Sequence, residues 1–176
     1  MLALADLMMR SEQDGAFRLF LIGGRALEAH GVVRFTKDVD FLVATEHIPA
    51  MGVVLTKAGY RKTDENAIFS RWKHPALTVD DVDVMYVNEL TFDKLMEGSV
   101  IHRLGKAELR VPSVPSLIAL KLHAIRSNAQ RLEKDGRDIA ELLVKNPLML
   151  DKAALETLFA KYGCSLYFPQ FSHLAS

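Results

Sequence analysis

The sequence predicts an α+β protein: a mixed α/β module followed by a helical annex. Three observations carry that reading. Short apolar runs separated by glycine turns fill the first two thirds, and two of them, Asp38–Val43 and Asp81–Val87, start on paired aspartates. The composition changes at Val111-Pro112-Ser113, after which amphipathic helical spacing dominates. The 49% hydrophobic content is enough for an ordinary core in a chain of 176 residues. We expect a module over 1–111 and an annex over 112–176 packed on it.

Taken in order, residues 2–13 put Leu2, Leu4, Ala5, Met8 and Met9 at helical spacing, and Gly15 ends that helix. Phe17 to Ile22 reads as a buried strand. Gly23-Gly24 turns the chain into a short helix, Arg25 to His30, with Gly31 as its C-cap. Val39 to Val43 is the second strand and Ile48 to Ala58 a helix. Tyr60 to Lys62 and Ala67 to Trp72 are two short strands about an Asp64-Glu65-Asn66 turn. Asp81 to Val87 alternates, with Asp81, Asp83, Met85 and Val87 on one face and Val82, Val84 and Tyr86 on the other. A short helix over Thr91–Glu97 and two strands turning near Gly105 complete the module.

In the annex, helices are expected at Ser113–Ser127, Asp135–Lys145 and Asp151–Tyr162, with Ser113 and Asp151 as N-caps. The tail, with Leu166, Tyr167, Phe168 and Phe171, is expected to be tied down.

Charge and cysteine usage bound the function. Lys+Arg and Asp+Glu balance at 22 each, so no bulk basic charge points to nucleic acid. The single Cys164 leaves no internal disulfide and no cysteine metal cluster; it reads as a small apolar residue. No apolar run reaches the roughly 18 residues of a spanning helix. The N-terminal stretch lacks a basic leader and carries Asp6. These features predict a cytoplasmic protein with no membrane partner.

The chemistry concentrates between Phe20 and Val43. Asp38 and Asp40 project from one face of a strand. Two carboxylates held side by side repel, and a cation keeps both ionised. If the third strand is a neighbour, Asp83 joins them, with Asp81 as the fallback. Oxygen ligands of this kind suit Mg²⁺ or Mn²⁺. Each acid alone reads as a solvated strand end, and Gly-Gly alone as a tight turn; the ordered combination is what carries a mechanism.

The run Ile22-Gly23-Gly24, thirteen residues, then Asp38-Val39-Asp40 resembles the signature of the DNA polymerase beta-like nucleotidyltransferase superfamily. Gly24-Arg25-Ala26 through Arg34-Phe35-Thr36-Lys37-Asp38 is most similar to its toxin-type branch, the AbiEii and MenT relatives, and the likeness extends over about Leu19 to Leu143. The resemblance implies a small mixed β-sheet and a nucleotide held over Gly23 and Gly24. It implies Mg²⁺ or Mn²⁺ on Asp38 and Asp40, with Asp83 as the third carboxylate. It further implies transfer of a nucleoside monophosphate from an NTP to a hydroxyl on RNA, tRNA or protein, as the toxin of a toxin–antitoxin pair with an antitoxin protein as partner. Two alternatives stand beside it: a nucleotide-binding or regulatory module of the same fold, and a nucleotidyltransferase acting on a small antibiotic-type molecule.

Leu120-Lys121-Leu122 through Arg126, then Lys134-Asp135 and Asp138-Ile139, is also similar to the toxin-type branch. Lys121 lies among apolar positions, where an ammonium loses hydration. It either snorkels or meets a phosphate, and Asp138 either pairs with it or orients substrate; Asp135 is the weaker candidate. Arg25, Arg34, Thr36 and Lys37 flank the glycines and acids as nucleotide-binding candidates. Lys121, Arg126, Arg131, Lys134 and Arg137 form either a basic patch or a solvated helix face. His30, His74, His102, His123 and His173 are scattered and receive no role, and Trp72 is expected in the core.

Overall fold

The computed structural model describes residues 2–175, with side chains from Leu4 onward, so Leu2 of the first apolar stripe has its side chain outside the described residues. The chain separates into two compact units, Met1–Ala29 with Arg34–Pro112, and His30–Val33 with Ser113–Ser176.

In the first unit, α1 (Leu2–Gln13) buries Leu4, Ala5 and Met8. A five-stranded sheet follows from β1 (Leu19–Ile22), β2 (Asp38–Ala44), β3 (Arg61–Asn66), β4 (Phe69–Lys73) and β5 (Asp81–Val87). Their order is β1-β2-β5-β4-β3. The β2–β5 pair is parallel and its neighbours are antiparallel, so the sheet is mixed. The parallel pair requires a crossover, supplied by α3 (Ile48–Lys57) and the β3–β4 hairpin. β1 is buried throughout. β5 alternates buried Val82, Val84 and Tyr86 with half-buried Asp81, Asp83, Met85 and Val87, the faces its sequence predicts.

One turn differs from expectation. Asp64, Glu65 and Asn66 belong to β3, and the chain reverses at Ala67-Ile68. The Asn66 side chain accepts the Ile68 amide at 2.9 Å, an Asx turn that needs only two residues and leaves Asp64 and Glu65 in the ladder. β3 is exposed along its whole length. A charged edge strand resists further pairing but has no apolar alternation by which to read it. Beside it Trp72 is buried and donates to Ser70 Oγ at 2.8 Å, as its core assignment requires.

The short helix after β1 is two pieces, α2 (Gly23–Ala26) and a 3-10 turn at Leu27–His30. α4 (Glu89–Met96) begins two residues earlier than expected because the Asn88 side chain caps it, accepting from Thr91 N at 2.8 Å. β6 (Val100–Leu104) and β7 (Ala107–Val111) form a separate ribbon turning at Gly105.

The second unit holds α5 (Val114–Ser127), α6 (Leu132–Lys145) and α7 (Lys152–Lys161). Ser113 and Asp151 cap α5 and α7 as expected, accepting from Ser116 N and Ala154 N. α6 starts three residues early, off a 3-10 turn over Ala129–Arg131. The buried stripe of α5 is Leu117, Ile118, Lys121, Leu122 and Ile125, with Leu120 and Ala124 only half-buried. Phe171 anchors the tail, its ring 5.3 Å from that of Phe159. Cys164 is buried, and burial pushes its thiol pKa up, as suits an apolar packing residue. No helix among the described residues is long and apolar enough to cross a membrane.

Tyr60 yields a pH prediction. It is 4% exposed and its hydroxyl donates to the Asp80 carbonyl at 3.2 Å. Burial, then the charges of Asp80 and Asp81, push the phenol from 10.0 up to about 12. The folded value lies above the unfolded one, so the contribution to stability is whole below pH 10.0 and is lost as pH rises through about 12. Absorbance titration at 295 nm is expected to show a tyrosine ionising near that upper value, and Tyr60→Phe to remove the step.

Candidate active site

β1 and β2 bring the glycines to the acids. Their register sets Ile22 opposite Asp40, so the turn that leaves β1 passes under the Asp40 side chain. Gly23 has φ +65, and a Cβ built on it would stand 2.0 Å from Asp40 Oδ2. Only glycine serves there, for conformation and for space. At Gly24 a Cβ would meet Arg34 Nη2 at 2.8 Å and Thr36 Cβ at 3.1 Å, so the segment before β2 is drawn over the same turn. Arg25 Nη2 donates to the Thr36 carbonyl at 3.3 Å and lies 3.7 Å from Asp80, while its Nε is buried without a hydrogen-bond partner. The Thr36 hydroxyl donates to the Asp38 carbonyl at 3.4 Å. Lys37 is exposed.

The parallel β2–β5 register completes the acidic face. Asp40 stands opposite Asp83, and Asp38 opposite Asp81. All four are half-buried, on the face whose opposite side is closed by Val39, Val82 and Val84. The ladder continues onto β4, where Arg71 faces Asp83. Arg71 Nε and Nη2 donate to Asp83 Oδ1 and Oδ2, both at 2.8 Å. That fork, then the charges of Asp38 and Asp64, raises the arginine's pKa further. In the adjacent row Lys73 Nζ lies 3.6 Å from Asp81. A cavity of about 430 Å³ opens beside this row, lined by Lys37, Asp38, Lys73, His74, Asp80 and Asp81 among others.

Asp38, Asp40 and Asp83 offer hard oxygens on one open face, with Asp40 cradled by Gly23. This donor set fits a divalent cation. Among the described residues their ligand atoms do not all lie within 4.8 Å of one another; those of Glu46, His47 and Glu89 do. In that second cluster, which the sequence reading did not single out, the Arg18 guanidinium donates to Glu89.

The model of the family described as nucleotidyl transferase AbiEii toxin, type IV TA system, matches residues 3–174. The chain belongs to this family. No curated protein matches this AbiEii-family chain. Solved structures of the same fold include ANT(2")-Ia in complex with adenylyl-2"-tobramycin, at TM-score 0.65 and 14% identity over 92% of this chain and 96% of that one. An antigenic nucleotidyltransferase-like protein from Paracoccidioides brasiliensis matches at TM-score 0.57 and 14% identity, over 97% of this chain and 92% of that one. The lincosamide antibiotic adenylyltransferase LnuA, lincomycin-bound, matches at TM-score 0.52 and 15% identity, over 79% of this chain and 93% of that one. At these identities the likeness is one of fold.

In the second unit, Lys121 Nζ pairs with Asp138 Oδ2 at 2.6 Å and Asp135 Oδ1 at 3.3 Å. Arg131 Nε reaches Asp135 Oδ2 at 2.6 Å. Asp135 and Asp138 are each 1% exposed, so Asp135 is as much part of the network as Asp138. Arg126, Arg131, Lys134 and Arg137 are exposed on their helices, while Lys121 is buried. The signal that could have raised Asp135 is its spacing from Ile139 on the α6 stripe. Arg71 carried no such signal, because its relation to Asp83 depends on strand order.

Two predictions follow from these contacts. Gly23→Ala bears the left-handed cost of about 1–2 kcal/mol and in addition collides with Asp40. Gly31→Ala, at φ +79 with nothing within 4 Å, bears the conformational cost alone. Urea unfolding is expected to show the larger loss for Gly23→Ala. Lys121→Met strips the ammonium from two buried carboxylates and is expected to cost about 3–5 kcal/mol in the same measurement.

Proposed function

We propose that this AbiEii-family chain transfers a nucleoside monophosphate from an NTP to a hydroxyl of RNA, tRNA or protein, as the toxin of a cytoplasmic toxin–antitoxin pair whose antitoxin is a protein. The observation that carries the reading is Asp40 lying over Gly23, with Asp38 two residues earlier on the same strand and Asp83 opposite Asp40 on the adjoining one. Asp38, Asp40 and Asp83 would hold Mg²⁺ or Mn²⁺. A divalent cation on these oxygens would neutralise the triphosphate and the departing pyrophosphate.

The chain's own residues supply the rest. The Gly23-Gly24 turn would meet phosphate oxygens with its backbone, in the space beside Asp40; the positions a side chain would take are filled by Asp40, Arg34 and Thr36. Arg25, Thr36 and Lys37 border that space, and Arg25 carries an uncommitted buried N–H. The acceptor oxygen forms a bond to the α-phosphorus, the bond to the bridging oxygen of the β-phosphate breaks, pyrophosphate leaves, and the hydroxyl proton passes to Asp83. Lys121, the remaining catalytic candidate, is buried against Asp138 and Asp135 in the second unit.

A small-molecule acceptor is the second reading. The cavity of about 430 Å³ beside Asp38 favours it, being of the size that suits one small ligand. Tobramycin and lincomycin are suitable first acceptors, since the fold is shared with structures holding adenylyl-2"-tobramycin and lincomycin.

Incubation with labelled NTPs, Mg²⁺ and cell extract is expected to label an RNA or protein species, and Asp38→Ala/Asp40→Ala to abolish the label. Labelling that survives in the double variant rules out this site. Label appearing on tobramycin or lincomycin and on no macromolecule selects the second reading. Nucleotide binding without product in every case marks a regulatory module.

A further inference from the structure

The third carboxylate is already occupied by a side-chain cation. Both oxygens of Asp83 accept from the Arg71 fork at 2.8 Å, and Asp83 is not gathered with Asp38 and Asp40 into one ligand group. The fork takes one lone pair on each oxygen, and its positive charge repels a divalent cation arriving at the others. Arg71 also has a second place to go. Across the β3–β4 ladder it stands opposite Asp64, so Asp83 and Asp64 flank it on neighbouring strands of one face. The Arg71 side chain is 45% exposed, so its head group can swing through water between them. Its guanidinium lies over the Phe69 ring, 5.7 Å from the centroid, which supports the stem in transit.

We propose that Arg71 is a positioning residue with two seats: it holds Asp83 while the site is empty, and moves toward Asp64 when a divalent cation claims Asp83. The inference rests on the metal reading of Asp38, Asp40 and Asp83 given above. It adds that cation loading is opposed from within the chain, so that Asp83 joins the other acids only when the cation arrives. Lys73, at 3.6 Å from Asp81, makes a looser contact of the same kind in the next row.

The test is Mn²⁺ binding to the full chain without nucleotide, read from the electron paramagnetic resonance signal of free Mn²⁺. Arg71→Gln removes the competitor and is expected to tighten binding about two- to fivefold, the range set by one well-formed, half-exposed ion pair. Arg71→Lys keeps the charge without the fork and is expected to fall between. Asp64→Asn removes the second seat and is expected to weaken binding a few-fold. Raising salt to 1 M is expected to narrow all three differences. Unchanged or weaker Mn²⁺ binding in Arg71→Gln, with circular dichroism showing a folded chain, overturns the two-seat assignment; should that variant not fold, unchanged or weaker binding by Arg71→Lys does so. The metal reading fails separately, if Asp38→Ala/Asp40→Ala binds Mn²⁺ as well as the parent does.

Discussion

The interaction on which the first unit depends is repulsion among carboxylates held at fixed spacing. Strand geometry places Asp38 and Asp40 on one face, and a parallel register sets Asp83 and Asp81 directly beside them. Four carboxylates on one face repel one another, and neighbouring cations offset that repulsion. The fold supplies two from β4, a fork from Arg71 and a looser ammonium from Lys73. Everything else around the acids limits how that charge can rearrange. Gly23 removes the side chain that would push Asp40 away, and the apolar face beneath the strands fixes the register. The open face keeps more acids than cations, and its cations sit on exposed side chains beside acids anchored to the sheet.

The second unit solves the opposite problem. There Lys121, Asp135 and Asp138 are buried, and with the exposed Arg131 they form a network of two cations and two anions. A lysine among Leu117, Ile118, Leu122 and Ile125 is tolerable only because α6 brings two carboxylates one turn apart to meet it. The network fixes how α5 and α6 face each other, since sliding either helix by a residue would bury an uncompensated charge. The cost of that specificity is borne by the apolar residues around it.

Much of this was legible from residue order. The alternation over Asp81–Val87 gave both faces of β5 without error, and the Ser113 and Asp151 caps placed two helix starts. Glycine pair and acid pair together marked the candidate site, and the β1–β2 register brings Asp40 onto Gly23. The misplaced turn at Asp64-Glu65-Asn66 has a physical cause: an edge strand exposed on both faces has no hydrophobic period, and turn-forming residues look the same within it as at its end. On α5 helical spacing offers two adjacent ridges, and only the neighbouring helix decides that Ile118 and Leu122 are buried while Leu120 and Ala124 stay half-buried. His47, with Glu46 and Glu89, came together across elements distant in the chain.

By itself the sequence determined which groups are candidates: Gly23 and Gly24, Asp38 and Asp40, Asp83, and a lysine on an apolar stripe. Those are properties of local spacing, fixed by the period of a strand or a helix. Tertiary structure alone decided what each group faces. It set β5 beside β2 and so made Asp83, rather than Asp81, the neighbour of Asp40. It set β4 on the far side of β5 and so placed Arg71 on Asp83. Strand order and register come from the summed burial of whole strands, which no single motif encodes.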